Sequence, residues 1–244
     1  MIEYSVLLGF HRWIRYQGEM ADLGYWTVVN ALRGIFSPVC RIQVSGVREV
    51  PAGPWILASN HLSHFDPPLI AGAFSRPIDF LAMRELFQPA WFGFLMRKIN
   101  VIPVRRGQAD TTALKTALGR LRQGRIVGVF PEGGLRAGAT SVLGGSKLTE
   151  GVWLLAAKSK CPVRPAVIVG SDQLYVGANW VRKPRVVVAV GNPIPAPAAK
   201  EERSVWTEAL AERMRGLFAE VRKRHALEEV VLPKTAQERW KAGR

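Results

Sequence analysis

A chain of 244 residues can bury a full core as one domain, and with 48% hydrophobic and 22% charged residues its composition excludes a disordered protein. A net charge of +15 gives a positive surface field suited to nucleic acid, an anionic membrane surface or an acidic soluble partner. The two cysteines, Cys40 and Cys161, lie far apart and form no C-x-x-C, which argues against a disulfide framework or a cysteine zinc site and fits a reducing, cytoplasmic setting.

Residues 1–38 differ from the rest. The apolar runs "YSVLLGF" and "LGYWTVVNAL" are interrupted by His11, Arg12, Arg15, Glu19 and Asp22 and accompanied by Trp13, Tyr16, Tyr25 and Trp26. Neither run reaches the ~20 apolar residues that cross a bilayer, and no signal-peptide pattern is present. Two readings stand: an amphipathic helix or helix pair lying in the membrane interface, or a helical hairpin packed on the domain's own core. Pro38 ends the segment.

From Arg41 strand and helix patterns alternate. The expected order is strand "RIQVSG", strand "WILAS", helix "PPLIAGAF", strand "IDFLAM", helix "RELFQPAWFGFLMRK", strand "NVIPV" and helix "DTTALKTALGRLRQ". In that last helix Ala113, Leu114, Ala117, Leu118 and Leu121 recur at helical spacing, with Asp110 as N-cap and Gly124 past the end. Strand "RIVGVF", a glycine-rich loop, helix "EGVWLLAAKSK", strands "VRPAVIVG" and "RVVVAVG", and an amphipathic helix with Trp206, Leu210, Met214, Leu217 and Val221 on one face follow. The pattern predicts an α/β fold: a mostly parallel, possibly mixed, sheet of about seven strands with helices on both faces, the final strands free to pair either way. The domain is expected over 39–227, with 228–244 a polar tail.

Ligands of such sheets bind at the carboxyl ends of strands. Three polar clusters follow strand patterns: Asn60-His61 after "WILAS", Arg105-Arg106 after "NVIPV", and Glu132-Gly133-Gly134 after "RIVGVF". His61 and Asp66 would stand about 140° apart on a continuous helix. Pro67 breaks that geometry and makes Asp66 a natural N-cap, so His61 sits in a loop that can fold back onto the carboxylate. A carboxylate on one imidazole nitrogen leaves the other to act as general base; the competing reading is a plain helix cap with a local hydrogen bond. A zinc site lacks the i, i+4 histidine spacing and a third ligand, so no metal is expected, and His64 reads as a spectator. Arg105 and Arg106 suit a bidentate anion site or a solvated strand end. Gly133 and Gly134 permit close backbone approach to an anion, and Glu132 would orient a polyol hydroxyl or hold Arg106; a tight turn is the plain alternative. None of the zinc-finger, RNP-aromatic or basic-zipper signatures is present, so no nucleic-acid partner is expected.

Together "NHLSHFD", "VIPVRRG" and "FPEGG", in that order, resemble the 1-acylglycerol-3-phosphate acyltransferase family across roughly residues 40–200. The family's Asn-His-x-Ser-x-x-Asp pattern is matched at Asn60, His61, Ser63 and Asp66, and its Phe-Pro-Glu-Gly core at 130–133. The resemblance implies fatty acyl transfer from an acyl-coenzyme A or acyl carrier protein thioester to a lysophospholipid hydroxyl, with no cofactor. It implies His61 as general base and Asp66 as its partner. Asn60, Ser63, Arg105, Arg106, Glu132, Gly133 and Gly134 would serve the acceptor, and Cys161-Pro162-Val163-Arg164-Pro165 would be the strand lining the acyl channel. It also implies attachment to an anionic membrane surface, monotopic or peripheral, on the cytoplasmic face. The family's third motif continues Gly-Thr-Arg, where this chain has Gly134 and Leu135, with only a shifted Arg136. That departure leaves other acceptors open: a lyso-ornithine lipid, another lysophospholipid or glycerol-3-phosphate. A basic nucleic-acid- or membrane-binding module without catalysis is the reading from a different class.

Overall fold

The computed structural model describes residues 22–45, 52–105, 110–227 and Lys234. Arg106, most of the N-terminal segment and all of the polar tail except Lys234 lie outside the described residues.

The strands are β1 (Arg41–Ser45), β2 (Trp55–Ser59), β3 (Ile78–Met83), β4 (Ile102–Val104), β5 (Ile126–Val129), β6 (Val163–Val169) and β7 (Arg185–Val190). They form one seven-stranded sheet in the order β1-β7-β6-β2-β5-β3-β4. β6, β2, β5, β3 and β4 run parallel, so their carboxyl ends share one edge, while β7 is antiparallel to β6 and β1 is parallel to β7. The sheet is mostly parallel with a single antiparallel pairing, the arrangement left open for the final strands.

The helices are α1 (Leu23–Phe36), α2 (Asp66–Ala73), α3 (Ala90–Lys98), α4 (Thr111–Arg122), α5 (Gly151–Ser159), α6 (Ala178–Arg182) and α7 (Arg203–Arg224). β2 is buried on both faces because its side chains alternate between two cores. Ile56 and Ala58 pack with Leu121 of α4, Leu155 of α5 and Met214 of α7. Trp55 and Leu57 pack on the other side with Leu69 and Ile70 of α2 and with Tyr25 and Val29 of α1. α1 thus buries one face on the domain: Tyr25 is enclosed and its hydroxyl accepts the Ile78 N–H at 3.1 Å.

The expected single helix over "RELFQPAWFGFLMRK" is two pieces, a 3-10 turn at Arg84–Phe87 and then α3. Pro89 supplies no N–H and is itself extended (φ −65°, ψ 117°) as the N-cap of α3, so the helix restarts after it. β4, which reads as a buried strand, is a three-residue edge strand with Pro103 exposed, a position where a missing N–H costs no ladder bond.

The amino-terminal edge of the sheet is tied by guanidinium groups. Arg125 bonds Asp79 at 2.7 and 2.8 Å and Asp22 at 3.1 Å, while Arg76 donates to the Gly53 and Gly124 carbonyls. Burial holds the Asp79 carboxyl above its usual range despite Arg125. The described residues of the polar clusters singled out from the sequence stand at the opposite edge.

Candidate active site

β2 ends at the centre of the sheet and releases the chain into the loop Asn60–Phe65. Asn60 is fully buried. Its amide nitrogen donates to the Ile168 carbonyl at 3.0 Å and its amide oxygen accepts the Ile168 N–H at 2.8 Å, which mimics another rung of the β2–β6 ladder. The next residue, His61, therefore leaves the strand at a fixed point. Its ring stacks on Phe130, centroids 4.0 Å apart, and Phe130 stacks in turn on Phe80. Gly128 makes room for that stack, since a Cβ there would lie 2.5 Å from the Phe80 ring.

The His61 Nδ1 is 2.8 Å from Asp66 Oδ2. The α2 boundary differs by one residue from the expectation: Phe65 is the N-cap and Asp66 the first helical residue. The reason is chemical. A capping carboxylate accepts N–H groups one turn into the helix, but Pro67 and Pro68 have none and the Leu69 N–H is already donated to the Phe65 carbonyl at 3.1 Å. The Asp66 carboxylate turns back instead and accepts the Leu62 and Ser63 N–H groups at 2.6 and 2.8 Å, together with the imidazole. Its other oxygen receives the Ser171 hydroxyl and, at 3.5 Å, the Ser63 hydroxyl. The carboxylate is wholly enclosed and surrounded by donors, as a buried charge must be. A carboxylate facing Nδ1 favours the tautomer with its proton there, the one that leaves Nε2 as the acceptor.

Glu132 approaches the same loop from β5. One carboxylate oxygen accepts the His61 backbone N–H at 2.7 Å; the other accepts the Ser141 hydroxyl and the Val142 N–H, each at 2.7 Å. Burial raises the Glu132 pKa above the usual carboxylate range, and these three donors pull against it. Both oxygens are engaged by the chain, so Glu132 staples His61 to the turns Gly138–Thr140 and Val142–Gly144. Arg136 completes the staple, its N–H donating to the His61 carbonyl at 2.8 Å, and its side chain is exposed.

The structure brings together His61, Asp66, Asn60, Ser63, Glu132, Gly133 and Gly134, because β2 and β5 are neighbours. Asn60 and Ser63 are interior supports of the loop. Gly133 is exposed with a positive φ of 70°, which suits glycine. Arg105 is exposed at the end of β4, on the same edge but about 10 Å from β5 by strand spacing. Its backbone N–H donates to Asp110, which caps α4 through Ala113 as expected. Arg106 lies outside the described residues. His64 is exposed, its N–H and Nδ1 both against the Tyr175 hydroxyl at 2.9 and 2.6 Å, away from the carboxylate. The 161–165 stretch opens β6 beside β2, with Cys161 and Val163 buried and the Arg164 guanidinium over the Trp55 ring. Ser171 and Tyr175 were not foreseen: the 3-10 turn Ser171–Tyr175 has no periodic pattern, and its partners lie more than 100 residues away.

A family model described as Acyltransferase matches residues 41–169. The 1-acyl-sn-glycerol-3-phosphate acyltransferase of Bacillus subtilis is 29% identical over 200 residues, 79% of this chain and 96% of that protein. The protein of the same name from Pseudomonas aeruginosa is 28% identical over 63% of this chain, which spans 58% of that relative's length. The lyso-ornithine lipid O-acyltransferase of Pseudomonas aeruginosa is 36% identical over 93 residues, 38% of this chain and 34% of that protein. Among solved structures, the 1-acyl-sn-glycerophosphate acyltransferase PlsC of Thermotoga maritima shares the fold, with a TM-score of 0.60 at 23% identity, covering 88% of this chain and 89% of that one.

Proposed function

The chain belongs to the acyltransferase family, and from that premise we propose that it moves a fatty acyl group from an acyl-coenzyme A or acyl carrier protein thioester to the free hydroxyl of 1-acylglycerol-3-phosphate. His61 is the general base and Asp66 its orienting partner. The observation that carries this is the 2.8 Å contact of Nδ1 with a carboxylate that the loop cannot use as an ordinary helix cap. Nε2 takes the proton of the acceptor hydroxyl while its oxygen attacks the thioester carbonyl. The C–S bond breaks, the departing thiolate takes that proton from the imidazolium, and neutral His61 is restored beside an ester and a free thiol. The scheme uses no acyl-enzyme.

Gly133 and Gly134 after β5, with Arg105 and Arg106 after β4, would flank the acceptor's glycerol and phosphate, Asn60, Ser63 and Glu132 acting through the loop they hold. The exposed Arg136, whose backbone is bonded to His61, brings a further cation to this edge. Gly134 and Leu135 in place of the Thr-Arg of the third motif, together with the similarity to a lyso-ornithine lipid O-acyltransferase, favour that aminolipid as the second acceptor to test.

The protein would work on the cytoplasmic face of an anionic membrane. Among the described residues no helix is long and apolar enough to cross a bilayer. α3 exposes Trp91 (72%) and Phe94 (58%), with Lys98 over the Phe94 ring and Arg97 exposed. Lys98 also packs on Gly24 in α1, whose neighbour Leu23 is 67% exposed. Aromatic rings flanked by long cationic side chains suit the headgroup layer.

Purified protein given acyl-coenzyme A or acyl carrier protein and a panel of lysolipids is expected to release free thiol and form one diacyl product, read by mass spectrometry. His61→Ala should lower kcat by about 10²–10⁴. A His61→Ala variant with full activity, or no thiol release with any acceptor, would overturn the reading.

A further inference from the structure

Ser171 belongs to none of the motifs that point to acyl transfer. It opens the 3-10 turn after β6 and is fully buried, with its hydroxyl donating to Asp66 Oδ1. The two carboxylate oxygens are unequally held. Oδ2 meets His61 Nδ1, the Leu62 N–H and the Ser63 N–H, all within 2.8 Å. Oδ1 has Ser171 and, at 3.5 Å, the marginal Ser63 hydroxyl. Rotation about the Cβ–Cγ bond moves both oxygens together and tilts the lone pair the imidazole uses; the three donors resist it at Oδ2, and chiefly Ser171 resists it at Oδ1. We infer that Ser171 is a positioning residue of the transfer reaction: its hydroxyl fixes the plane of the Asp66 carboxylate so that Oδ2 stays aligned with the His61 ring.

The surroundings support a dedicated anchor. Ile168, three residues earlier, holds Asn60 through its backbone, and Tyr175, at the end of the same turn, holds His64. The segment from Ile168 to Tyr175 thus grips the catalytic loop at its start, its middle and its end. Ser171 is the grip that reaches the dyad itself. A charge-assisted bond inside a fully enclosed site is strong enough to restrain a side chain.

The role rests on the His61/Asp66 dyad, and the test separates the two. Ser171→Ala, Ser171→Thr and His61→Ala are assayed side by side for thiol release from acyl-coenzyme A, with 1-acylglycerol-3-phosphate as acceptor, across pH. Ser171→Ala is expected to lose about ten- to a hundredfold in kcat, the loss that follows from one hydrogen bond to a charged group. KM should change little, and the acid limb of the kcat/KM profile should move, because the carboxylate that faces the base is no longer held in one plane. Ser171→Thr, which keeps the hydroxyl, should recover most of the rate and the original limb. If Ser171→Ala keeps kcat and the limb while His61→Ala is inactive, the Ser171 role alone fails. Loss of rate with an unmoved limb and no recovery by threonine overturns it equally, leaving a packing residue. A fully active His61→Ala would instead bring down the dyad.

Discussion

Glu132→Gln tests whether the second carboxylate of this edge is structural in the way its contacts indicate. Three donors converge on it, the His61 and Val142 N–H groups and the Ser141 hydroxyl. An amide of the same shape keeps one acceptor oxygen and turns a donor toward at least one of those N–H groups. Hydrogen bonds to a charged group are worth about 1.5–3 kcal/mol against about 1 for neutral ones, and a buried N–H left unpaired costs about 1–3. The burial that raises the Glu132 pKa is a partial offset, since the amide has no charge to desolvate. The net expectation is about 2–4 kcal/mol of lost stability, or roughly 5–15 °C in Tm for a domain of this size. His61 then loses the contact that fixes its backbone, so kcat should fall more than KM rises. Thermal melts and thiol-release kinetics on both proteins decide the matter. A variant that melts with the parent and keeps full kcat would refute the staple.

Asn60→Asp, an isosteric change, should cost about 2–4 kcal/mol, because it turns a carboxylate oxygen toward the Ile168 carbonyl where Nδ2 now donates in a fully buried position; an unchanged Tm would refute the ladder role. Arg125→Leu should cost about 3 kcal/mol in urea unfolding, the lower end for breaking a buried pair because Arg120 remains 3.6 Å from Asp79. Asp79 has a raised folded pKa, so its contribution is full below its unfolded pKa and is lost as pH rises through the folded one. Without Arg125 that loss deepens, and the deficit should be larger near about pH 8 than near about pH 5; a deficit independent of pH would argue against an ionised, orphaned Asp79. Trp91→Ala and Phe94→Ala should each weaken binding to vesicles containing anionic lipid by about tenfold, the scale of one aromatic side chain leaving an apolar phase. Unchanged flotation would move the membrane face away from α3.

The alternation of strands and helices was readable because each strand is a short apolar run bounded by turn residues and each long helix carries one apolar stripe, as Leu210, Met214 and Val221 do in α7. The break at Pro89 was readable too, from the residue alone, and the single-helix expectation passed over it. β4 is different. Three residues carry no alternation from which to tell an edge strand from a buried one, so the separation of Arg105 from β5 by β3 was not available. The His61–Asp66 contact was legible because both residues lie in a nine-residue stretch with the prolines that shape it. The roles of Glu132 and Asn60 were not, since their partners are backbone N–H and carbonyl groups, which every residue offers and only the register selects. Ser171 is the extreme case, a hydroxyl in an aperiodic turn whose meaning depends on β6 lying beside β2.

That adjacency explains how one loop is held so closely. β5, β2 and β6 are consecutive in the sheet and parallel, so the three loops that leave their carboxyl ends meet at one place. The middle loop carries His61. The loop after β5 holds its backbone through Glu132 and Arg136 and its ring through Phe130. The segment at and beyond the end of β6 holds the carboxylate through Ser171, and the loop itself at Asn60 and His64 through Ile168 and Tyr175. Neither neighbour duplicates the other, because one fixes where His61 is and the other fixes how its partner is turned. A local chain rule makes the second task possible: with Pro67 and Pro68 offering no N–H groups and the Leu69 N–H donated to Phe65, an aspartate at a helix start is released from capping and becomes free to orient an imidazole.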